Sequence, residues 1–495
     1  MDSRGDHRGK KVGSKTILNL LIFGIGTLLS RILGFLREVF LAYSLGATHL
    51  SDVFYASFRI VNLLRILFGE GIMHVSLVPL LIENKKDLSR YKRFVSSTFT
   101  FFLLISLLFT FLGILLSPLL ILIFAPGFKN VSFKFIYAKD TLMMMFPFVF
   151  FIIMAGYFGS ILNSERNFFP PSFAPFFFNF SFLLIGCISY FFLNLSEKFF
   201  LFSLALAIVI GGLFEALFQL FFVIKKVKIS ITKNLFIPEI RDFFRLLIPV
   251  FVTVITNEII IIITTFLASY LPEGELSYLS YSFRLRHFPI AILGIGLATV
   301  SLPYMTETDK KIEYLKRIYK FSLSILFPLV LLLIVHSDFI VKVFFERGKF
   351  KSIDTLKTSL SFIWFSLGIL PSSLFNVHLN YFYSQKRIVE INISHLYMLT
   401  SFLFFAPILF KLMGYTGLAL SSSISSTVAF LTLCFYTPKF IDFRDYKEFI
   451  LLALLLAALV FLRFFNLPFL EFLIDSFLSF IFFMYFRKRW NLKEI

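Results

Sequence analysis

Residues 95–124 read VSSTFTFFLLISLLFTFLGILLSPLLILIF, a run without one charged side chain. A helix rises about 1.5 Å per residue, so this segment alone outspans the roughly 30 Å hydrocarbon core of a bilayer. Working outward, similar runs fall near 16–44, 52–82, 137–162, 170–194, 199–224, 246–270, 277–305, 319–344, 355–383, 389–413, 415–437, 447–465 and 467–486. Of the 495 residues, 58% are hydrophobic, 74 are Phe and only 16% are charged, against about a quarter in soluble proteins, whose surfaces must stay hydrated. The expected fold class is all-α, a polytopic membrane protein with about fourteen transmembrane helices.

A net charge of +19 would suggest nucleic acid in a soluble domain, but the basic residues sit mainly in short loops. With the amino terminus inside, the N-terminal tail, 85–93, 225–245, 310–317, 386–387, 439–447 and the 487–489 tail form one set of loops. They hold roughly thirty Lys and Arg against about eight in the opposite set, the asymmetry of positive-inside topology. Both termini are then expected on the cytoplasmic side, with no nucleic-acid partner. The first run follows a basic tail as a signal peptide would, but it carries Arg31 and Arg37 and no small-residue cleavage site, so it is expected to be retained. Cys187 and Cys434 lie far apart in apolar runs and give no disulfide, zinc or redox pattern.

The chain echoes itself at a shift of 225 positions. Ser57-Phe58-Arg59, Gly69, Gly71 and Val75-Ser76-Leu77 recur as Ser282-Phe283-Arg284, Gly294, Gly296 and Val300-Ser301-Leu302. Two related bundles are expected, each with a helix that carries an Arg and then a Gly-x-Gly break, so Gly69, Gly71, Gly294 and Gly296 are candidate hinges. A weaker echo links Leu162-Asn163-Ser164-Glu165-Arg166 with Phe382-Tyr383-Ser384-Gln385-Lys386-Arg387.

Charges inside the spans carry the functional signal, because each costs about 2.5–3.5 kcal/mol at a helix centre. Arg31, Arg37 and Glu38 lie in the first span; Asp52, Arg59, Arg65 and Glu70 in the second; Glu258 in the seventh; Arg284, Arg286 and His287 in the eighth. A spacing of seven puts Ser30 with Arg37, Arg31 with Glu38, and Asp52 with Arg59 on shared helix faces, the last a candidate ion pair. The cationic excess that remains suits a phosphate or carboxylate in a wet cavity, since the arginine fork binds oxyanions bidentately. The bland alternative for Arg31 and Arg286 is snorkelling to the interface.

Residues 27–38, TLLSRILGFLRE, followed by Asp52, Asn62-Leu63-Leu64-Arg65, Phe68-Gly69-Glu70-Gly71 and Val78-Pro79, resemble the signature of the MurJ/MviN lipid II flippases, within the multidrug/oligosaccharidyl-lipid/polysaccharide exporter superfamily. The resemblance implies two six-helix lobes arranged as a V, two terminal helices, and a central cavity for a pyrophosphate-linked head group. On it, 1–15 is a basic tail, 16–225 and 226–440 are the lobes, and 441–495 holds the terminal helices and a second basic tail. By similarity Arg31, Arg37, Arg65 and Arg284 contact substrate, Glu70 falls on an acidic family position, and Glu38 stands where Asp is usual; Ser30 completes the candidate set. The implied function is alternating-access flipping of undecaprenyl-pyrophosphate-linked lipid II across the bacterial inner membrane. The implied partners are lipid II and membrane lipids, with one copy of the chain acting alone or beside cell-wall synthesis proteins.

Some members hold sodium on acidic and amide side chains of spans 7 and 11. Here those stretches read Ile261-Ile262-Ile263-Thr264 and Ser401-Phe402-Leu403-Phe404-Phe405-Ala406, so no metal and no cofactor is expected, Glu258 being the one substitute in reach. Coupling to an ion or to the membrane potential stays open. Rival readings are a flippase for another undecaprenyl-linked oligosaccharide, of O-antigen or capsule type, and a multidrug exporter. A cation exporter would want acids in its cavity, the opposite balance. An enzyme would need a catalytic acid or a large loop, and Gly9-Lys10-Lys11-Val12-Gly13-Ser14-Lys15 lacks phosphate-loop spacing.

Overall fold

A few polar, glycine and proline residues between the apolar runs decide where each helix starts and stops. The computed structural model describes residues 26, 28–69, 72–234 and 237–437, and among them every regular element is helical. Helix α1 covers 28–45 and ends at Gly46, whose φ of +64° only glycine adopts freely. Thr48 then caps α2 (His49–Leu64): its hydroxyl accepts from the Leu50 N–H at 3.3 Å, while its own N–H donates to the Ser51 hydroxyl at 2.9 Å. A π-helical turn (Arg65–Gly69) leads into α3 (Ile72–Asn84). Asp87 caps α4 (Leu88–Phe124), accepting from the N–H groups of Ser89 and Arg90 at 2.8 and 3.3 Å. Next come α5 (Ser132–Met145) and α6 (Pro147–Ser164), the second opening on a proline, which suits the first turn of a helix. They are followed by α7 (Phe169–Phe191), α8 (Glu197–Ile224) and α9 (Pro238–Ala268).

The chain divides into two units, Met1–Glu258 and Ile259–Ile495, the division falling inside α9. In the second unit α10 (Glu275–Pro289), a π-helical turn (Ile290–Ile295) and α11 (Gly296–Glu307) form one long broken helix. There follow α12 (Lys311–Val335), α13 (Ser337–Phe345), α14 (Ser352–Ser366), α15 (Ile369–Ser384), α16 (Ile388–Met413) and α17 (Tyr415–Phe435). Joined across their short breaks, ten helices among the described residues are long and apolar enough to cross a membrane. Helices α1 and α9 stand where the first and seventh crossings were expected, and the two runs after 440 lie outside the described residues.

Helix α4 shows what solvent the fold was built for. Leu104, Leu107, Leu108, Phe111, Leu115 and Leu119 form an outward stripe, with Phe111 65% and Leu115 62% exposed. Its inward face carries Ser97, Thr98, Ser106, Gly113 and Ser117. Large apolar residues outside and small or hydroxylic ones inside invert the pattern of a soluble helix, because lipid rewards neither burial of Leu nor exposure of Ser. The ring of Phe146 lies directly over Gly113, where no Cβ would fit.

The internal echo is structural. The π-helical turns start at Arg65 and Ile290 and take in Gly69 and Gly294, both 225 residues apart. Ser57 and Ser282 are fully buried and cross to the equivalent helix of their own unit: the Ser57 hydroxyl donates to the Ala138 carbonyl of α5 at 3.0 Å, and the Ser282 hydroxyl meets that of Ser361 on α14 at 2.8 Å. The weaker echo is a shared helix C-cap. Arg166 and Lys386 take φ of +54° and +58°, and the following N–H of Asn167 and Arg387 closes back onto the carbonyls of Leu162 and Phe382 at 2.9 and 3.0 Å.

Glycine at the break serves packing as well as bending. A Cβ on Gly69 would sit 2.6 Å from Cγ1 of Ile152, and one on Gly294 would sit 2.9 Å from Cα of Ser373, so each broken helix presses against α6 or α15. Gly296 faces open space, its nearest atom being the Ala291 carbonyl oxygen at 3.9 Å. Of the four candidate hinges, Gly71 lies outside the described residues.

Candidate functional site

In the first unit, α1 and the end of α2 bring four of the sequence-selected residues to one place on α7. Arg37 is 5% exposed, and its guanidinium donates to Oε1 of Glu38 at 3.0 Å and to Oδ1 of Asn179 at 3.3 Å. The other Glu38 oxygen accepts from the Tyr55 hydroxyl at 2.8 Å. Rings of Phe58, Phe178 and Phe182 cover the guanidinium at 5.2, 5.5 and 5.7 Å. Arg65, half-buried at the start of the π-helical turn, lies over the same Phe178 ring at 5.0 Å. The Asn179 amide also donates to the Ser30 carbonyl at 3.1 Å and faces its hydroxyl at 3.4 Å. Ser30, Arg37, Glu38 and Arg65 therefore converge on Phe178–Asn179.

One pairing differs from that drawn from sevenfold spacing, and Asp52 has a partner that the spacing does not offer. Glu38 is taken by its neighbour Arg37 and by Tyr55, since two adjacent side chains can fold toward each other when both are buried. Arg31 is exposed, with no ion-pair partner among the described residues. Asp52, 2% exposed, accepts from Nζ of Lys134 on α5 at 3.1 Å. Arg59 is half-buried and lies within the influence of Tyr55, Glu258 and Glu38. Glu70 lies outside the described residues.

In the second unit Arg284 is half-buried on α10. Arg286, two positions on, does not snorkel: it is 5% exposed and held by serines. Its guanidinium donates to the hydroxyls of Ser422 at 2.7 Å and of Ser372 and Ser426 at 3.0 Å, and lies 5.4 Å from the Phe365 ring. Among the described residues no cluster of metal-ligating side chains occurs.

Taken together, arginines of the expected spans stand in both units: Arg37 is paired with Glu38, Arg59, Arg65 and Arg284 are half-buried, and Arg31 is exposed. A family model described as "Lipid II flippase MurJ" matches residues 41–486. The chain belongs to the lipid II flippase MurJ family. Among its relatives, a "Probable lipid II flippase MurJ" of Buchnera aphidicola subsp. Schizaphis graminum is 34% identical over 428 residues, covering 84% of this chain and 82% of that protein. The "Lipid II flippase MurJ" of Burkholderia cenocepacia is 27% identical over 425 residues, with 82% and 81% covered. A solved structure titled "Lipid II flippase MurJ, inward closed conformation" superimposes with a TM-score of 0.81 at 25% identity, over 94% of this chain and 99% of that one. An inward-facing multidrug MATE transporter of the MOP superfamily matches with a TM-score of 0.62 at 14% identity, over 84% of this chain and 97% of that one, a likeness of fold alone.

The MurJ-family motif located Ser30, Arg37, Glu38 and Arg65, but not what surrounds them. Tyr55, Phe178, Asn179 and Lys134 were missed. Asn179 is the one amide within the apolar run 169–191, and a lone buried amide in a span was the signal available. Lys134 falls between the apolar runs 95–124 and 137–162, yet its side chain is only 8% exposed.

Proposed function

We propose that this chain flips undecaprenyl-pyrophosphate-linked lipid II from the cytoplasmic to the periplasmic face of the bacterial inner membrane. Family membership supports the substrate class, and the arginines support the chemistry. The observation that carries it is the contrast within the first unit: Arg37 is already neutralised by Glu38, while Arg31 on the same helix is exposed and has no acidic partner among the described residues. A charge kept at membrane depth without a counter-ion invites one from the substrate. A diphosphate offers two charges and several acceptor oxygens to such forks, while the prenyl chain stays in lipid.

In this reading Arg31, Arg65 and Arg284 meet the head group, with Ser30 and Glu70 beside it, and Arg37 and Glu38 fix the wall of the site through Asn179. Both termini are cytoplasmic, following the loop charge asymmetry, and the chain acts as one copy. Transport runs without sodium, because 261–264 and 401–406 carry no carboxylate. Proton or potential coupling drives return of the empty carrier.

The test is replacement of a bacterium's native lipid II flippase by this chain, with externally exposed lipid II measured. Restored exposure is the expected result. Failure there, with rescue of an O-antigen or capsule defect instead, would assign another lipid-linked sugar.

A further inference from the structure

Arg286 breaks the rule by which membrane proteins hide a charge. A buried guanidinium is ordinarily matched by a carboxylate, since desolvating it alone is costly. The first unit follows the rule with Arg37 and Glu38, 6% and 4% exposed along their side chains. Around Arg286 the partners are the neutral hydroxyls of Ser372, Ser422 and Ser426, drawn from α15 and α17. No carboxylate lies within 4 Å of it among the described residues, and its Nε finds no acceptor.

The cage is built for this side chain. Gly368 has no room for a Cβ, which would stand 3.0 Å from Nη2 of Arg286 and 2.7 Å from Oγ of Ser423. The Ser426 hydroxyl donates to the Ser422 carbonyl at 2.9 Å, so its oxygen is turned to receive the guanidinium. The scaffold does not itself demand an arginine, because the 225-residue shift places Val61 at the matching position of the first unit, where it is fully buried.

Hydroxyl dipoles satisfy hydrogen bonds without cancelling charge. An Arg–carboxylate pair acts at a distance as a weak dipole, whereas Arg286 keeps a full unit of positive charge in a low-dielectric interior. We infer that Arg286 is an uncompensated fixed charge that raises the carrier's affinity for the anionic head group without touching it. This rests on the substrate class proposed above. A unit charge about 10 Å away, at an effective dielectric near 20, changes affinity for another unit charge by roughly tenfold.

Affinity for undecaprenyl pyrophosphate and for the neutral alcohol undecaprenol is measured on the full chain in lipid nanodiscs, with thermal stability read in parallel. Three variants separate charge from cross-linking. R286K keeps the charge and loses the fork, R286Q loses the charge, and S422D supplies the missing carboxylate while preserving a hydrogen bond. Pyrophosphate affinity is expected to fall roughly tenfold in R286Q and S422D and to stay near wild type in R286K, with undecaprenol binding unchanged throughout. Wild-type affinity in R286Q and S422D overturns the role, as does affinity that follows thermal stability rather than charge. A wild-type chain that binds the pyrophosphate no better than the alcohol overturns the substrate assignment itself, and this role with it.

Discussion

Alanine at Gly294 and at Gly296 should have effects of opposite sign, although only Ile295 separates the two positions. Replacing glycine by alanine in a helix gains about 1 kcal/mol from backbone entropy alone. At Gly296 nothing opposes the gain, since the nearest atom to the new methyl is an oxygen 3.9 Å away. At Gly294 the methyl would stand 2.9 Å from both Cα and Oγ of Ser373 and 3.0 Å from its Cβ. A backbone carbon cannot swing aside, so α15 as a whole must yield. Overpacking of this kind costs about 1–3 kcal/mol, which outweighs the entropic gain over most of that range. Unfolding of each purified variant in detergent should therefore show G296A at or above wild type and G294A below it by up to about 2 kcal/mol. Equal stabilities for the two variants would refute the close approach of the broken helix to α15.

Lys134→Met should destabilise the first unit by about 3–5 kcal/mol because it removes the ammonium paired with the buried Asp52 carboxylate, and pairing it with Asp52→Asn should recover much of the loss in a double-mutant cycle of unfolding free energies. At the start of α4, the hydroxyl of Ser89, then the N–H groups of Arg90 and Ser89, hold the Asp87 carboxyl below its ordinary value of 3.8. A depressed carboxylate stabilises the fold above its unfolded pKa and loses that contribution as pH falls through the folded one. Asp87→Ala should thus lower the thermal midpoint at neutral pH, and the difference should fade as pH is taken below 3.8. Proteoliposomes should flip lipid II equally well in sodium and potassium buffers; a strict sodium requirement would show that the family's ion site is rebuilt elsewhere.

The crossings were legible because lipid imposes a length and a composition on each helix that no tertiary contact can waive. The repeat was legible for a related reason: Ser57 and Ser282 are both buried and each reaches across to a neighbouring helix of its own unit, and the Arg166 and Lys386 turns share one cap geometry. Pairing was not legible. Helical geometry offers Glu38 to Arg31, but a side chain chooses among everything within reach, and Tyr55, Asn179 and three phenyl rings favour Arg37. Lys134 finds Asp52 across 82 positions, a distance over which periodicity says nothing. The serines at Ser421-Ser422-Ser423 and Ser425-Ser426 are plain in the sequence, yet only the packing of α10 against α17 shows that two of them hold an arginine.

The account stands or falls on whether arginines at membrane depth carry the head group's charge. Translocation of fluorescent lipid II in proteoliposomes, compared between wild type and R31A, R65A and R284A with insertion and folding verified, measures that directly. The expected outcome is rapid translocation by wild type and loss in each variant despite normal insertion. Wild-type rates in all three variants would contradict it.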